Sequence, residues 1–123
     1  SDVRRRRPED LLNDFRTFVL SLRAEGEDAP VYFVSLRPAP AREERWYGQQ
    51  RANALIADYV RTEKNMYFIE VSTAMLDERG NIRDDLYRWD GLTLNGKGYE
   101  TIGPIIRKRL IEAGYGELRS GRQ

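Results

Sequence analysis

VYFVSL, residues 31–36, is an unbroken apolar run rich in β-branched and aromatic side chains. A strand wetted on one face alternates polar and apolar residues. A run without alternation predicts a strand covered on both faces, as parallel sheets require. MYFIEV, residues 66–71, repeats the pattern. Arg37-Pro38-Ala39-Pro40 closes the first strand, because proline cannot donate to a central ladder. A helix is expected from about Glu43 to Thr62, with Ala52, Leu55, Ile56, Tyr59 and Val60 on one buried stripe. Asn65 marks the turn into the second strand. Residues 31–71 therefore read as one right-handed β-α-β unit.

Working outward, Pro8-Glu9-Asp10 has the chemistry of a helix start. Proline fits the first turn, and acids there suit the helix dipole. Leu11, Leu12, Phe15, Phe18, Val19 and Leu22 recur at helical spacing, and Gly26 is a stop, so a helix is expected over Pro8–Ala24. Residues 72–97 are less regular. Ala74-Met75-Leu76 suits one helical turn, Gly80-Asn81 a tight turn, and Leu86, Tyr87 and Trp89 apolar anchors. The last helix is expected over Gly98–Ala113, with Tyr99, Ile102, Ile106 and Leu110 inward; Pro104 predicts a kink or a late start. The order α-β-α-β-loop-α is an α/β pattern with only two clear strands. Each wants cover on both faces and a partner on both edges, so the sequence reads as half of a doubly wound domain.

The 123 residues suit a single domain with a core at about 8–113, a basic leader at 1–7 and a loose tail at 114–123. Charged residues make up 33% of the chain, yet the net charge is only +1. Arg4 to Arg7, Arg119 and Arg122 lack interleaved aromatics, so no nucleic-acid partner is expected. No apolar run approaches the ~18 residues of a membrane span. The absence of cysteine excludes disulfides, thiolate metal sites and a cysteine nucleophile, and slightly favours a reducing cytosol. The absence of histidine removes the commonest general base and metal ligand. No cofactor or metal is expected. Asp77, Glu78, Asp84, Asp85 and Asp90 are close in sequence, but their spacing is not that of a calcium loop, and a solvated loop is the simpler reading.

The stretch Asp90-Gly91-Leu92-Thr93-Leu94-Asn95-Gly96-Lys97-Gly98-Tyr99 resembles the last conserved block of the SGNH (GDSL-type) esterases, Asp-x-x-His followed by Leu-Asn and a Gly-Tyr helix start. The Pro-rich loop after the first strand, the Trp-bearing helix containing Asn53, and the strand ending at Glu70-Val71 follow the family's order. The resemblance covers about residues 8–113. It implies a partial flavodoxin-like, three-layer α-β-α fold with a short parallel sheet, and descent from a serine ester hydrolase. It makes Asp90 the triad acid, puts Thr93 at the position of the catalytic histidine, and makes Gly91, Asn95, Gly98 and Tyr99 the support of that loop. Ser1 would stand in place of an oxyanion-hole Asn. The nucleophile block, Gly-Asp-Ser, has no counterpart.

A threonine cannot take a proton from a serine near neutral pH. The chain by itself is therefore expected to lack esterase activity; the alternative is a non-catalytic binding or assembly module built on the same fold. Without the resemblance, Asp90 caps the turn at Gly91 and Asn95 caps the last helix. Ser35 and Ser72 are the nearest other candidate nucleophiles. The expected partner is a second copy joined through the strand edge 31–36, or a complementary N-terminal half.

Overall fold

The computed structural model describes residues 7–114; the readings placed on Ser1, Arg4–Arg6, Arg119, Arg122 and most of the tail lie outside them. Three helices, α1 (Pro8–Ala24), α2 (Trp46–Arg61) and α3 (Gly96–Glu112), accompany two strands, β1 (Val31–Val34) and β2 (Met66–Ile69). The strands pair in parallel, Val31 opposite Met66 through Val34 opposite Ile69. The fold is α/β, a partial three-layer arrangement around a two-stranded sheet.

Side-chain alternation along the strands sorts the layers. Val31, Phe33, Met66 and Phe68 face α1 and α2, where they join Val19, Ile56 and Val60 in one core cluster. Phe15 meets Phe33 edge-on at 4.9 Å between ring centroids. On the other face, Tyr32 stacks on Tyr67 at 5.0 Å, and the Arg109 guanidinium of α3 lies over Tyr67 at 5.6 Å. β2 is covered on both faces, with Ile69 buried, whereas Val34 of β1 is 40% exposed on the second face.

The ends of the elements follow from local chemistry. The Asp10 carboxylate accepts the Arg7 N–H at the start of α1. Gly26, at φ +82°, turns the chain out of it. The expected start of the second helix near Glu43 is corrected. Pro40–Arg45 forms 3₁₀ turns broken at Arg42 (φ −130°, ψ 34°), and α-helix begins only at Trp46. The last helix starts at Gly96, earlier than expected, and continues through Pro104, so a late start is also corrected. The cap decides this: the Asn95 side chain accepts the Gly98 N–H at 2.9 Å, which satisfies one of the orphan donors of the first turn. Three apolar assignments fail. Phe18 is exposed on α1, and Tyr99, expected to face inward on α3, is 61% exposed. Trp89 is not an anchor but 92% exposed.

Neither sheet edge is wholly bare. The Val31 and Ser35 N–H groups point to carbonyls at Asn65 and Ile69, so by alternation Tyr32, Val34 and Leu36 present their backbones to the opposite edge. At Leu36 that edge is closed. The buried Asn53 amide accepts its N–H at 2.8 Å and donates to its C=O at 2.9 Å, copying a strand partner. On the outer edge of β2, Arg109 Nε donates to the Phe68 carbonyl at 3.2 Å. The expected free edge over 31–36 is thus shortened to β1 itself.

Candidate functional site

The loop closed by the Tyr87–Leu94 bridge carries the candidate site, directly after the turn closed by the Leu76–Ile82 bridge. Its footing is a second core cluster of Met75, Leu86, Tyr87 and Leu94, with Ile102 of α3 packed against it. The buried Tyr87 hydroxyl donates to the Pro38 carbonyl, which ties this loop to the one leaving β1. Burial raises the Tyr87 pKa above its usual value, which keeps the hydroxyl a donor.

Asp90 sits at the tip of that footing. Its Oδ1 accepts the N–H groups of Leu92 and Thr93, both at 2.9 Å, and its Oδ2 accepts the Thr93 hydroxyl at 2.7 Å. These hydrogen bonds, the two from backbone N–H groups foremost, hold the Asp90 pKa down to about 2. The carboxylate is therefore ionised throughout the neutral range and committed to residue 93. Gly91 makes the turn possible. It has φ +67°, and a Cβ there would lie 3.1 Å from the Ala41 nitrogen. Its carbonyl accepts the Ala41 N–H at 3.1 Å.

Asn95 clamps the other end. Its side-chain amide donates to the Asp85 and Tyr87 carbonyls at 2.9 and 3.2 Å while its oxygen caps α3. Gly98 is buried where α3 crosses the loop; a Cβ would stand 2.4 Å from the Leu86 carbonyl oxygen and 2.9 Å from Leu94 Cδ2. Asp90, Gly91, Thr93, Asn95 and Gly98 are thus brought into one constellation. Tyr99, grouped with them in the sequence reading, is exposed and makes no part of the seating. Ser1 lies outside the described residues.

The other candidate groups are engaged elsewhere. Ser35 is buried, and its Oγ accepts the Val71 N–H at 2.9 Å, extending the β1–β2 ladder by a side chain. Ser72, also buried, donates to Glu70 Oε2 at 2.7 Å, where Thr73 adds two more bonds. Burial works against the Glu70 charge, but the hydrogen bonds from Ser72 and Thr73 outweigh it and lower the pKa. Both serines meet the Glu70 carboxylate, whose lowered pKa makes it a poor proton acceptor near neutral pH. Among the acids, Asp77 Oδ1 accepts the Arg79 and Asn81 N–H groups at 2.8 and 2.9 Å, making a tight turn. Asp85 is held well below the usual carboxylate range by its hydrogen bond to Arg83, and next by Lys97 at 2.8 Å. Among the described residues no group of three or more acids could hold a metal ion, and no helix is long and apolar enough to cross a membrane.

Two features carried little or no sequence signal. The Tyr87–Pro38 bond joins residues 49 apart and follows only from the packing. The Asn53 clamp is foreshadowed solely by a polar residue placed beside Ala52 on an otherwise apolar stripe.

No protein-family model matches the chain, and no curated protein matches it. Among solved structures, the chain is similar to a Streptococcus pneumonia protein provisionally described as a platelet activating factor. The TM-score is 0.70 at 19% identity, over 84% of this chain and 51% of that one. At that identity the likeness speaks for the fold. The chain spans about half the length of the structure it matches.

Proposed function

We propose that residues 8–113 form one truncated SGNH-type domain, the C-terminal part of a serine ester hydrolase, inactive as an isolated chain. Asp90 holds the place of the triad acid and Thr93 that of the histidine. The observation that carries this reading is the Asp90–Thr93 contact of 2.7 Å on a loop fixed at Gly91, Asn95 and Gly98. An acid so held orients the side chain three residues on and would stabilise a cation there, which is what a triad acid does for its base. The hydroxyl of threonine does not ionise or accept a proton in the working range, so the relay stops at position 93. The similarity in fold to a protein twice as long supports a missing complementary half, which would bring the nucleophile.

A second reading, a non-catalytic binding or assembly module, draws support from the burial of Ser35 and Ser72 and from the lack of histidine. The two readings agree on the isolated chain. Hydrolysis of 4-nitrophenyl acetate by the chain, and by its Thr93→His variant, is expected at the buffer rate. Turnover that disappears with Ser35→Ala or Ser72→Ala would overturn the inactive assignment, because it would reveal a nucleophile within the chain. Restoration of turnover when Thr93→His is combined with a Gly-Asp-Ser-bearing half would favour the hydrolase reading over the module.

A further inference from the structure

A cleft of about 450 Å³ opens where β1 ends, between the 3₁₀ turns, the start of α2 and Leu92. Its size is that of small-ligand sites. Arg37, Arg42 and Arg45 line it, together with Gln49, and no acidic residue is among its lining residues. Among the described residues, no close ion pair holds any of the three guanidinium groups. Arg37 donates to the Leu92 carbonyl at 3.3 Å and also hydrogen-bonds the Tyr87 side chain. Arg45 has a loose 3.9 Å pairing with exposed Glu44, and Arg42 forms no ion pair among the described residues. α2 begins at this wall without an acid in its first turn. Glu43 and Glu44 lie in the 3₁₀ turns just before it, so the positive character of the cleft rests on the arginines and not on the helix end. The side-chain oxygen of Gln49 is buried and has no hydrogen-bond partner among the described residues. A buried acceptor of this kind calls for a donor.

We propose that this cleft binds a small organic anion, a carboxylate or a phosphate ester, that also carries a hydroxyl group. The arginines take the anionic oxygens, for which their planar, always charged forks are suited. The hydroxyl donates to Gln49 Oε1. The cleft shares Leu92 with the Asp90 loop, but the inference does not need the hydrolase reading, since the arginines and Gln49 lie outside that loop.

The test is a titration of the isotope-labelled full chain, followed by NMR at a fixed ionic strength of about 0.15 M so that screening is constant. The probes are glycerol 3-phosphate, glycerate and glycerol. At least one of the two anions is expected to give saturable shifts at the Gln49 side-chain amide and the Arg42 and Arg45 Nε–H groups; whichever saturates identifies the anion, and glycerol is expected to give none. Arg42→Ala should weaken binding at least fivefold. Gln49→Glu, which alters charge at constant volume, should weaken it at least tenfold with the folded spectrum retained. Arg107→Ala, an exposed arginine elsewhere, should leave it unchanged. No saturable shift with either anion, equal affinity for glycerol, or an equal loss with Arg107→Ala would overturn the proposal.

Discussion

Replacing Thr93 by histidine turns the Asp90 loop into its own measuring device. The chain has no histidine, so the introduced imidazole gives a single, unambiguous titration by NMR. Asp90, with its pKa held down to about 2, is fully charged over that whole titration. Its Oδ2 already lies 2.7 Å from the Thr93 hydroxyl, so an imidazole at position 93, whose Nδ1 is one bond further from Cβ, reaches the carboxylate with a small shift of the side chains. An opposite charge in contact favours the protonated ring. At this solvent-accessible tip the shift is expected to be about one unit upward, from ~6.5 to ~7.5. The sign carries through to stability. A raised folded-state pKa contributes stability that is fully present below pH ~6.5 and is lost as the pH rises through ~7.5. In the Thr93→His, Asp90→Asn double variant the pKa should fall back to ~6.5. If the two variants titrate within about 0.2 unit of each other, the loop does not hold acid and base together, and the triad-acid assignment of Asp90 fails.

Three further outcomes follow from the same geometry. Gly98→Ala forces a Cβ against the Leu86 carbonyl and should cost about 2–3 kcal/mol in urea unfolding, within the usual range for overpacking; an unchanged midpoint would mean that α3 is not seated on the loop as described. The depressed Asp90 pKa contributes stability above pH 3.8 that is lost as the pH falls through about 2, so Asp90→Asn should flatten the acid-unfolding curve between those values, and a parallel curve would contradict the hydrogen bonding at this carboxylate. Through the remaining outer edge of β1, the chain is expected to self-associate as a dimer, read by light scattering over a concentration series. A stable monomer at every concentration would show that the Asn53 clamp at Leu36 and the packing around it suffice to close that edge.

The α/β class, the order of the elements and the β-α-β unit were legible in the sequence because they depend on periodicity. Two short apolar runs rich in β-branched and aromatic residues, bounded by turn signals, read as strands packed on the stripes of α1 and α2. The Asp90 to Gly98 string was legible as well, since turn and cap chemistry is local. Asp90 and Asn95 reach only a few residues along the chain for most of their partners. What the tertiary structure alone decided was long-range. Trp89 and Tyr99 are as apolar as Leu86 and Tyr87, yet the first pair is exposed and the second buried, because burial depends on which way the loop crosses α3. Asn53 becomes a strand partner for Leu36, and Tyr87 a tether for Pro38, only when elements distant in sequence pack together. Arg37, Arg42 and Arg45 are dispersed charges in the sequence, and only the broken 3₁₀ turns before α2 gather them around one cleft. Local dihedral and hydrogen-bond preferences are written residue by residue. The positions of side chains across the fold are set by the packing of whole faces, which no short stretch contains.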